Sequence, residues 1–345
     1  PEGFSYRIVS QAGDEMNDGL LVPYKFDGMG SFALGEDRVV LIRNHELKVG
    51  DLNHGPTGVR GRRADKLDTS KAFDVDAAGR ALPGGTTTLV YNLRTQQLER
   101  EHLSLIGTAV NCAGGITPWG SWLTCEENTA KAGAGGAKDH GWAFEVPASA
   151  KGLVDPVPLK AMGRFKREAA CVDPGTGIVY MTEDTADSLL YRFIPDAPGE
   201  LVKGGRLQAL GFADAPEGCD TRNWKGDIGM VEGAWRNARW IDLADPESPE
   251  DDLRLRGAKA GAAVFARGEG IFWGKGELYF TCTSGGAKNL GQIMRYVPGA
   301  REGQSDEATA PGKAQLFLES TDASVLDYAD NIAIAPWGHL IVCED

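Results

Sequence analysis

The chain has 345 residues and a mass of 36.8 kDa, more than one small domain holds but within reach of a single large β-architecture. With 42% hydrophobic and 25% charged residues it can bury a core, and its 46 glycines, about twice the average share, favour tight turns over long helices. A net charge of −13 argues against nucleic acid or an anionic membrane as partner, and no apolar run is long enough to span a bilayer.

From Pro1 onward there is no charged n-region or apolar h-region, so an export signal is expected to have been removed already or never to have been there. The six cysteines, at 112, 125, 171, 219, 282 and 343, form no C-x-x-C pair and read as neither a zinc site of usual spacing nor a disulfide framework. Five of the six fall in apolar strand patterns, and of these all but Cys112 read as small buried hydrophobes.

In chain order, five segments repeat one pattern: a short apolar strand, a Gly- or Pro-containing turn, then an alternating strand ending in a polar or acidic cluster. They are residues 30–46 (GSFALGEDRVVLIRNHE), 111–128 (NCAGGITPWGSWLTCEEN), 167–184 (REAACVDPGTGIVYMTED), 268–284 (GEGIFWGKGELYFTCTS) and 330–345 (DNIAIAPWGHLIVCED). Strand-like runs fall between them at 86–92, 142–146, 188–194, 238–243 and 293–297. A hairpin plus one or two outer strands per unit is the grammar of a β-propeller blade. The expectation is an all-β chain, a propeller of six blades with irregular loop insertions, forming one domain over 1–345. The long interval from Asp184 to Gly268 has room for a divergent blade, and the last blade reads as incomplete, because the chain stops after a second strand. Residues 60–72, 131–139 and 247–257 read as surface loops or short helical turns.

A hairpin brings the start of its first strand and the end of its second to one edge, so these ends should gather at one mouth of the central tunnel. They supply Asn44 and Glu46; Cys112, Glu126, Glu127 and Asn128; Glu168, Glu183 and Asp184; Glu269 and Thr283; Asp330, Asn331, Glu344 and Asp345. So many carboxylates in one volume require protons or cations. Hard oxygen donors suit Ca²⁺ or Mg²⁺, whereas a Cys112 thiolate adds a softer ligand and points to a transition metal. Because neighbours in a strand face opposite ways, Glu126 and Glu183 are as well suited to holding turn amides as to binding metal. Arg267, two residues before Glu269, is either an ion-pair partner or an anion clamp. His45 should face away from Asn44 and Glu46, and the remaining histidines are scattered. Trp119, Trp273 and Trp337 read as packing residues at equivalent turn positions. The Gly-rich run at 132–137 lacks the Lys-Ser/Thr of a P-loop.

The runs RNHE (43–46), NCAGGITPWGSWLTCEEN (111–128), REAACVDPGTGIVYMTED (167–184) and ARGEGIFW (266–273) resemble the PhoX-type bacterial alkaline phosphatases, and the likeness extends over nearly the whole chain. The resemblance implies a monomeric propeller phosphatase, exported folded to the periplasm or beyond, that acts on small phosphomonoesters. It further implies a mixed cluster of iron (Fe³⁺) and Ca²⁺ at the tunnel mouth. Cys112, Glu127, Glu168 and Glu269 match the iron ligands, and Arg267 matches the arginine that binds substrate phosphate and stabilises the transition state. Asn44, Glu46, Asp184, Asp330 and Glu344 are the matching candidates for calcium. The family lysine before the cysteine block has no counterpart in 100–107 (REHLSLIG). The resemblance implies in-line attack by a metal-activated oxide or hydroxide. The rivals are a propeller esterase or lactonase with a single tunnel Ca²⁺, and a non-catalytic propeller stiffened by calcium.

Overall fold

The computed structural model describes residues 3–345, and its strands form antiparallel blades in chain order. Blade one holds β1 (Phe26–Leu34), β2 (Arg38–His45), β3 (Gly84–Asn92) and β4 (Gln97–Thr108). Blade two holds β5 (Asn111–Ile116), β6 (Ser121–Glu126) and β7 (Ala143–Pro147). Blade three runs from β8 (Arg167–Val172) through β9 (Val179–Glu183) and β10 (Tyr191–Pro195) to β11 (Gly205–Phe212). Beyond it, β12 (Cys219–Asp220) lies apart, and β13 (Trp235–Asp242) pairs with the outer edge of β11. The short helix α1 (Leu253–Lys259) and β14 (Ala263–Val264), which pairs with β12, lead to blade four. That blade consists of β15 (Gly268–Gly274), β16 (Glu277–Cys282), β17 (Gln292–Val297) and β18 (Lys313–Glu319); β18 also pairs with β13, joining blades three and four at their outer edges. β19 (Ala329–Ile334) and β20 (Leu340–Glu344) are the fifth unit, a bare hairpin.

Among the described residues there are thus five inner strands where the repeats suggested six blades. The interval from Asp184 to Gly268 contributes outer strands, not a further inner one, because β8 and β15 pack directly on each other. The inner strands touch backbone to backbone, which demands small residues. A Cβ on Gly115 would lie 2.0 Å from the Ala170 carbonyl oxygen, and one on Gly270 would lie 2.7 Å from the Ile332 nitrogen. The tunnel between them is an apolar cavity of about 370 Å³, bordered by Gly28, Met29, Gly114, Ala170, Ile271 and Ile332. Apolar residues on the two faces of the blades fill the space between neighbours, as with Tyr180, Tyr296, Phe280 and Leu278 between blades three and four.

One local irregularity recurs in all five inner hairpins. Pairing steps from Phe26–His45 to Met29–Arg43, from Asn111–Glu126 to Gly114–Thr124, and from Arg167–Glu183 to Ala170–Met181. It does so again from Gly268–Cys282 to Ile271–Phe280, and from Ala329–Glu344 to Ile332–Val342. Three steps on the inner strand match two on its partner, so each inner strand carries a bulge in its first turn of pleat. The bulged residues are Asp27, Cys112, Glu168, Glu269 and Asp330. A bulge re-aims a side chain that a regular pleat would send elsewhere. Two residues upstream of these, Lys25, Val110, Arg267 and Tyr328 all adopt left-handed backbone, with φ between 49° and 54°. Their carbonyls, and that of Lys166 in blade three, accept the N–H of Glu46, Glu127, Thr283, Asp345 and Asp184 respectively, at 2.9–3.0 Å.

Candidate metal and phosphate site

The five bulges and five closing hydrogen bonds define two sets of side chains at one mouth of the tunnel. The bulge set is Asp27, Cys112, Glu168, Glu269 and Asp330, and the closing set is Glu46, Glu127, Asp184, Thr283 and Asp345. Cys112, Glu127 and Glu168 bring their ligand atoms within 4.8 Å of one another, with Cys112 and Glu168 buried and Glu127 half-buried. The Cys112 thiol lies against the carbonyl oxygens of Arg167 (3.4 Å) and Glu168 (3.5 Å).

The electrostatics of this mouth are those of carboxylates lacking counter-ions. Burial pushes Glu168 well above the usual carboxyl range, and Glu127 and Asp27 add to it. Burial does the same to Glu269, aided by Glu168 and Asp184. Glu127 is pushed up to about 7, first by burial and then by Asp184. Asp27 is open to solvent on its outer side, yet desolvation within the mouth, with Glu46 and Asp330, carries it to about 6. Burial, then Glu168 and Glu127, raises the Cys112 thiol. Each shift disfavours the charged form, which a bound cation would favour. The donor set fits such a cation: a thiol with two carboxylates suits a transition metal, and the oxygen-only remainder of the rim suits calcium.

Arg267 is the strongest cation at the rim. Its Nε donates to Asp184 Oδ1 at 2.8 Å, and Nη2 donates to Asp184 Oδ2 at 3.2 Å and to Glu269 Oε1 at 2.7 Å. Asp345 lies 3.8 Å from Nη1. These partners, Asp184 first, raise its pKa, so it stays charged.

Of the residues expected from sequence, Glu46, Cys112, Glu127, Glu168, Asp184, Arg267, Glu269 and Asp330 come together here. Two do not. Asn44 is fully buried, its Nδ2 donates to the carbonyls of Cys112 (3.0 Å) and Ala113 (2.7 Å), and its Oδ1 accepts from Trp122 Nε1 at 2.9 Å. It clamps the bulge of the next blade. Thr281 does likewise, donating to Asp330 O at 2.5 Å. Glu344 pairs across its hairpin with Ala329, and its carboxylate accepts the Asp327 N–H at 2.9 Å. The neighbouring Asp345 stands at the rim in its place. Asp27 joins them from outside the sequence repeats, the first of which begins at Gly30.

The acidic neighbours of the closing set turn outward. Glu126 accepts from Ala109 N (2.9 Å), Gly141 N (3.0 Å) and His140 Nδ1 (2.7 Å), while Glu183 accepts from Tyr191 Oη at 2.7 Å. His45 packs away from the mouth as expected, with Nδ1 on Tyr24 O and Nε2 on Thr87 Oγ1. The tryptophans are less uniform than their motif suggested. Trp273 lies within β15 and stacks on Tyr180, Trp119 donates to Glu145, and Trp337 is 69% exposed. Cys219 is half-buried and Cys343 exposed, unlike the other four thiols.

Comparison with solved structures finds Pseudomonas fluorescens PhoX in complex with vanadate, described as a transition-state analogue, at a TM-score of 0.67 and 19% identity. The match covers 100% of this chain and 81% of that one. Two glucose dehydrogenase structures follow at 12% identity and TM-scores of 0.44 and 0.43, each covering 99% of this chain and 84% of theirs. Among curated proteins no relative matches. The model of the alkaline phosphatase PhoX family matches residues 1–345. With the propeller architecture, that match over residues 1–345 identifies the chain as a phosphatase hydrolase belonging to the PhoX alkaline phosphatase family.

Proposed function

We propose that this chain hydrolyses small phosphomonoesters at the tunnel mouth with the help of bound iron and calcium. Cys112, Glu127, Glu168 and Glu269 would hold iron, and Glu46, Asp184 and Asp330, joined by Asp27 and Asp345, would hold calcium. The observation that carries the reading is the convergence of Cys112, Glu127 and Glu168 within ligating distance of one another, at a mouth where the start of β15 presents Glu269 hydrogen-bonded to Arg267. When bound, the metals supply Lewis-acid polarisation of the phosphoryl group and activation of the attacking water.

The chain's own residues do the rest. The bulges fix five side chains on rigid inner strands, so little reorganisation is needed when charge develops. Arg267, with Nε and Nη2 taken by Asp184 and Glu269, would turn Nη1 to phosphoryl oxygens and stabilise the charge that spreads over them in the transition state. Asp184 and Glu269 hold the guanidinium in place. Hydrogen bonds from Asn44 and Thr281 to bulge carbonyls keep neighbouring blades in register beneath the site. No side-chain nucleophile is required.

A thiol in the cluster favours this reading over an esterase or lactonase that needs only oxygen ligands to calcium. The family also supports export to the periplasm or medium, and action as a monomer. The test is elemental analysis of the native protein beside its visible spectrum and its rate on p-nitrophenyl phosphate. Iron with several calcium equivalents, a visible absorption band and phosphate release would support the proposal. Calcium alone, with an active enzyme, would overturn the iron assignment, and no hydrolysis by the metal-replete protein would overturn the function.

A further inference from the structure

Segment 220–224, which the proposed mechanism leaves unused, runs beside the corner that carries Arg267. The backbone of Arg267 is left-handed, at φ 53°, and is held from both sides: its N–H donates to Thr185 O and its carbonyl accepts from Thr283 N, each at 2.9 Å. One residue beyond each of these partners, a side chain of segment 220–224 takes hold. Arg222 Nη1 donates to Ala186 O at 3.0 Å, and Trp224 Nε1 donates to Ser284 O at 2.7 Å. The two grips are joined, because the Arg222 guanidinium lies 4.1 Å from the centre of the Trp224 ring. Asp220 locks the remainder of the guanidinium, accepting Nε at 2.8 Å and Nη2 at 2.6 Å, and the Arg222 carbonyl accepts the Gly286 N–H at 2.8 Å.

Left-handed backbone is unfavourable for an arginine, so the corner keeps it only while both flanking loops stay in place. A guanidinium at the end of a long side chain also magnifies any shift of its own backbone, and a displacement of about 1 Å at a reacting centre can cost on the order of 100-fold in rate. We propose that Arg222 and Trp224 are positioning residues for Arg267: together they brace the two loops that fix its backbone, and so aim its guanidinium at the phosphoryl group. The inference rests on the phosphatase reading above and deepens it.

The test is a double-mutant cycle. Trp224→Phe keeps a ring for Arg222 and deletes the N–H, while Arg222→Met deletes the donor to Ala186. Each is made in the wild type and in Arg267→Gln, and the metal-replete proteins are titrated with inorganic phosphate by calorimetry. In the wild-type background each should weaken phosphate binding about 2- to 10-fold, the worth of one hydrogen bond, and lower kcat/KM on p-nitrophenyl phosphate, with metal content unchanged. In the Arg267→Gln background neither should weaken phosphate binding further, because a residue that acts through another has nothing left to act on. A brace that served stability alone would not produce this dependence on residue 267. Equal weakening in both backgrounds overturns the inference. So does wild-type affinity in both single variants, or a loss of metal that accounts for the weaker binding. A wild type that neither binds phosphate nor hydrolyses the ester, or an Arg267→Gln variant that binds phosphate as tightly as the wild type, would instead remove the reading on which the inference stands.

Discussion

Arg267 grips Asp184 through two hydrogen bonds, at 2.8 and 3.2 Å, although the two residues lie 83 positions apart in the chain. The pair ties the end of β9 to the start of β15, so a contact that orients the proposed phosphate-binding group also joins two blades. The rim is consequently a place where stability and chemistry share residues, and the predictions separate the two.

Cys112→Ala should remove iron from the purified protein and lower kcat/KM by at least about 100-fold, since even outer partners of metal ligands cost 10- to 100-fold. Metal analysis and kinetics on one preparation check this. A variant with full iron and full activity would make Cys112 a packing thiol.

Asn44→Ala should destabilise the fold without changing calcium content. It strands the buried Trp122 N–H and two bulge carbonyls, each previously paired, at a cost of about 2–4 kcal/mol. Denaturant melts beside calcium stoichiometry test the assignment; loss of a calcium equivalent with unchanged stability would refute it.

Asp27→Asn and Asp345→Asn should each weaken calcium binding, whereas Glu344→Gln should leave it unchanged. Calcium titration of the chelator-treated protein distinguishes them. The contrast between 344 and 345 is the sharper, because adjacent residues of one strand end are predicted to differ.

His102 offers a pH test away from the site. It is buried, neither ring nitrogen has a hydrogen-bond partner, and burial, then Arg100, lowers its pKa to about 4 from 6.5. A histidine kept neutral by folding contributes stability in full above its unfolded pKa, and that stability is lost as pH falls through the folded value. Stability should therefore decline between about pH 6.5 and 4. In His102→Leu this part of the decline should be absent, as urea melts across that range would reveal.

Much of this arrangement was readable from the chain. The near-constant spacing within repeats disclosed the five hairpins and the edge on which their ends gather, because turn chemistry and period-two alternation are local properties. Parity at the ends was not readable. A bulge adds one residue and so breaks the count that would tell Cys112 from Asn111, or Asp345 from Glu344. Asp27 escaped for a related reason: Phe26–Met29 carries too few apolar residues to announce a strand, and only its pairing with β2 makes it one. Asn44 looked like a ligand because an amide oxygen can bind calcium; the Trp122 indole that occupies it lies 78 residues away in sequence. The number of blades depended on which strands face the tunnel, a matter of long-range packing.

The left-handed backbone before the bulges bears on engineering. Val110, a β-branched residue at φ 54°, sits in a conformation that disfavours its own side chain, whereas Arg267 at φ 53° bears the same strain with a guanidinium to show for it. Glycine would relax both. At 110 the exchange should raise the melting temperature and spare turnover, while at 267 the same relief should come with an inactive protein. Four corners of like strain thus divide into those that natural variation is free to soften and one whose discomfort is the condition of its proposed use.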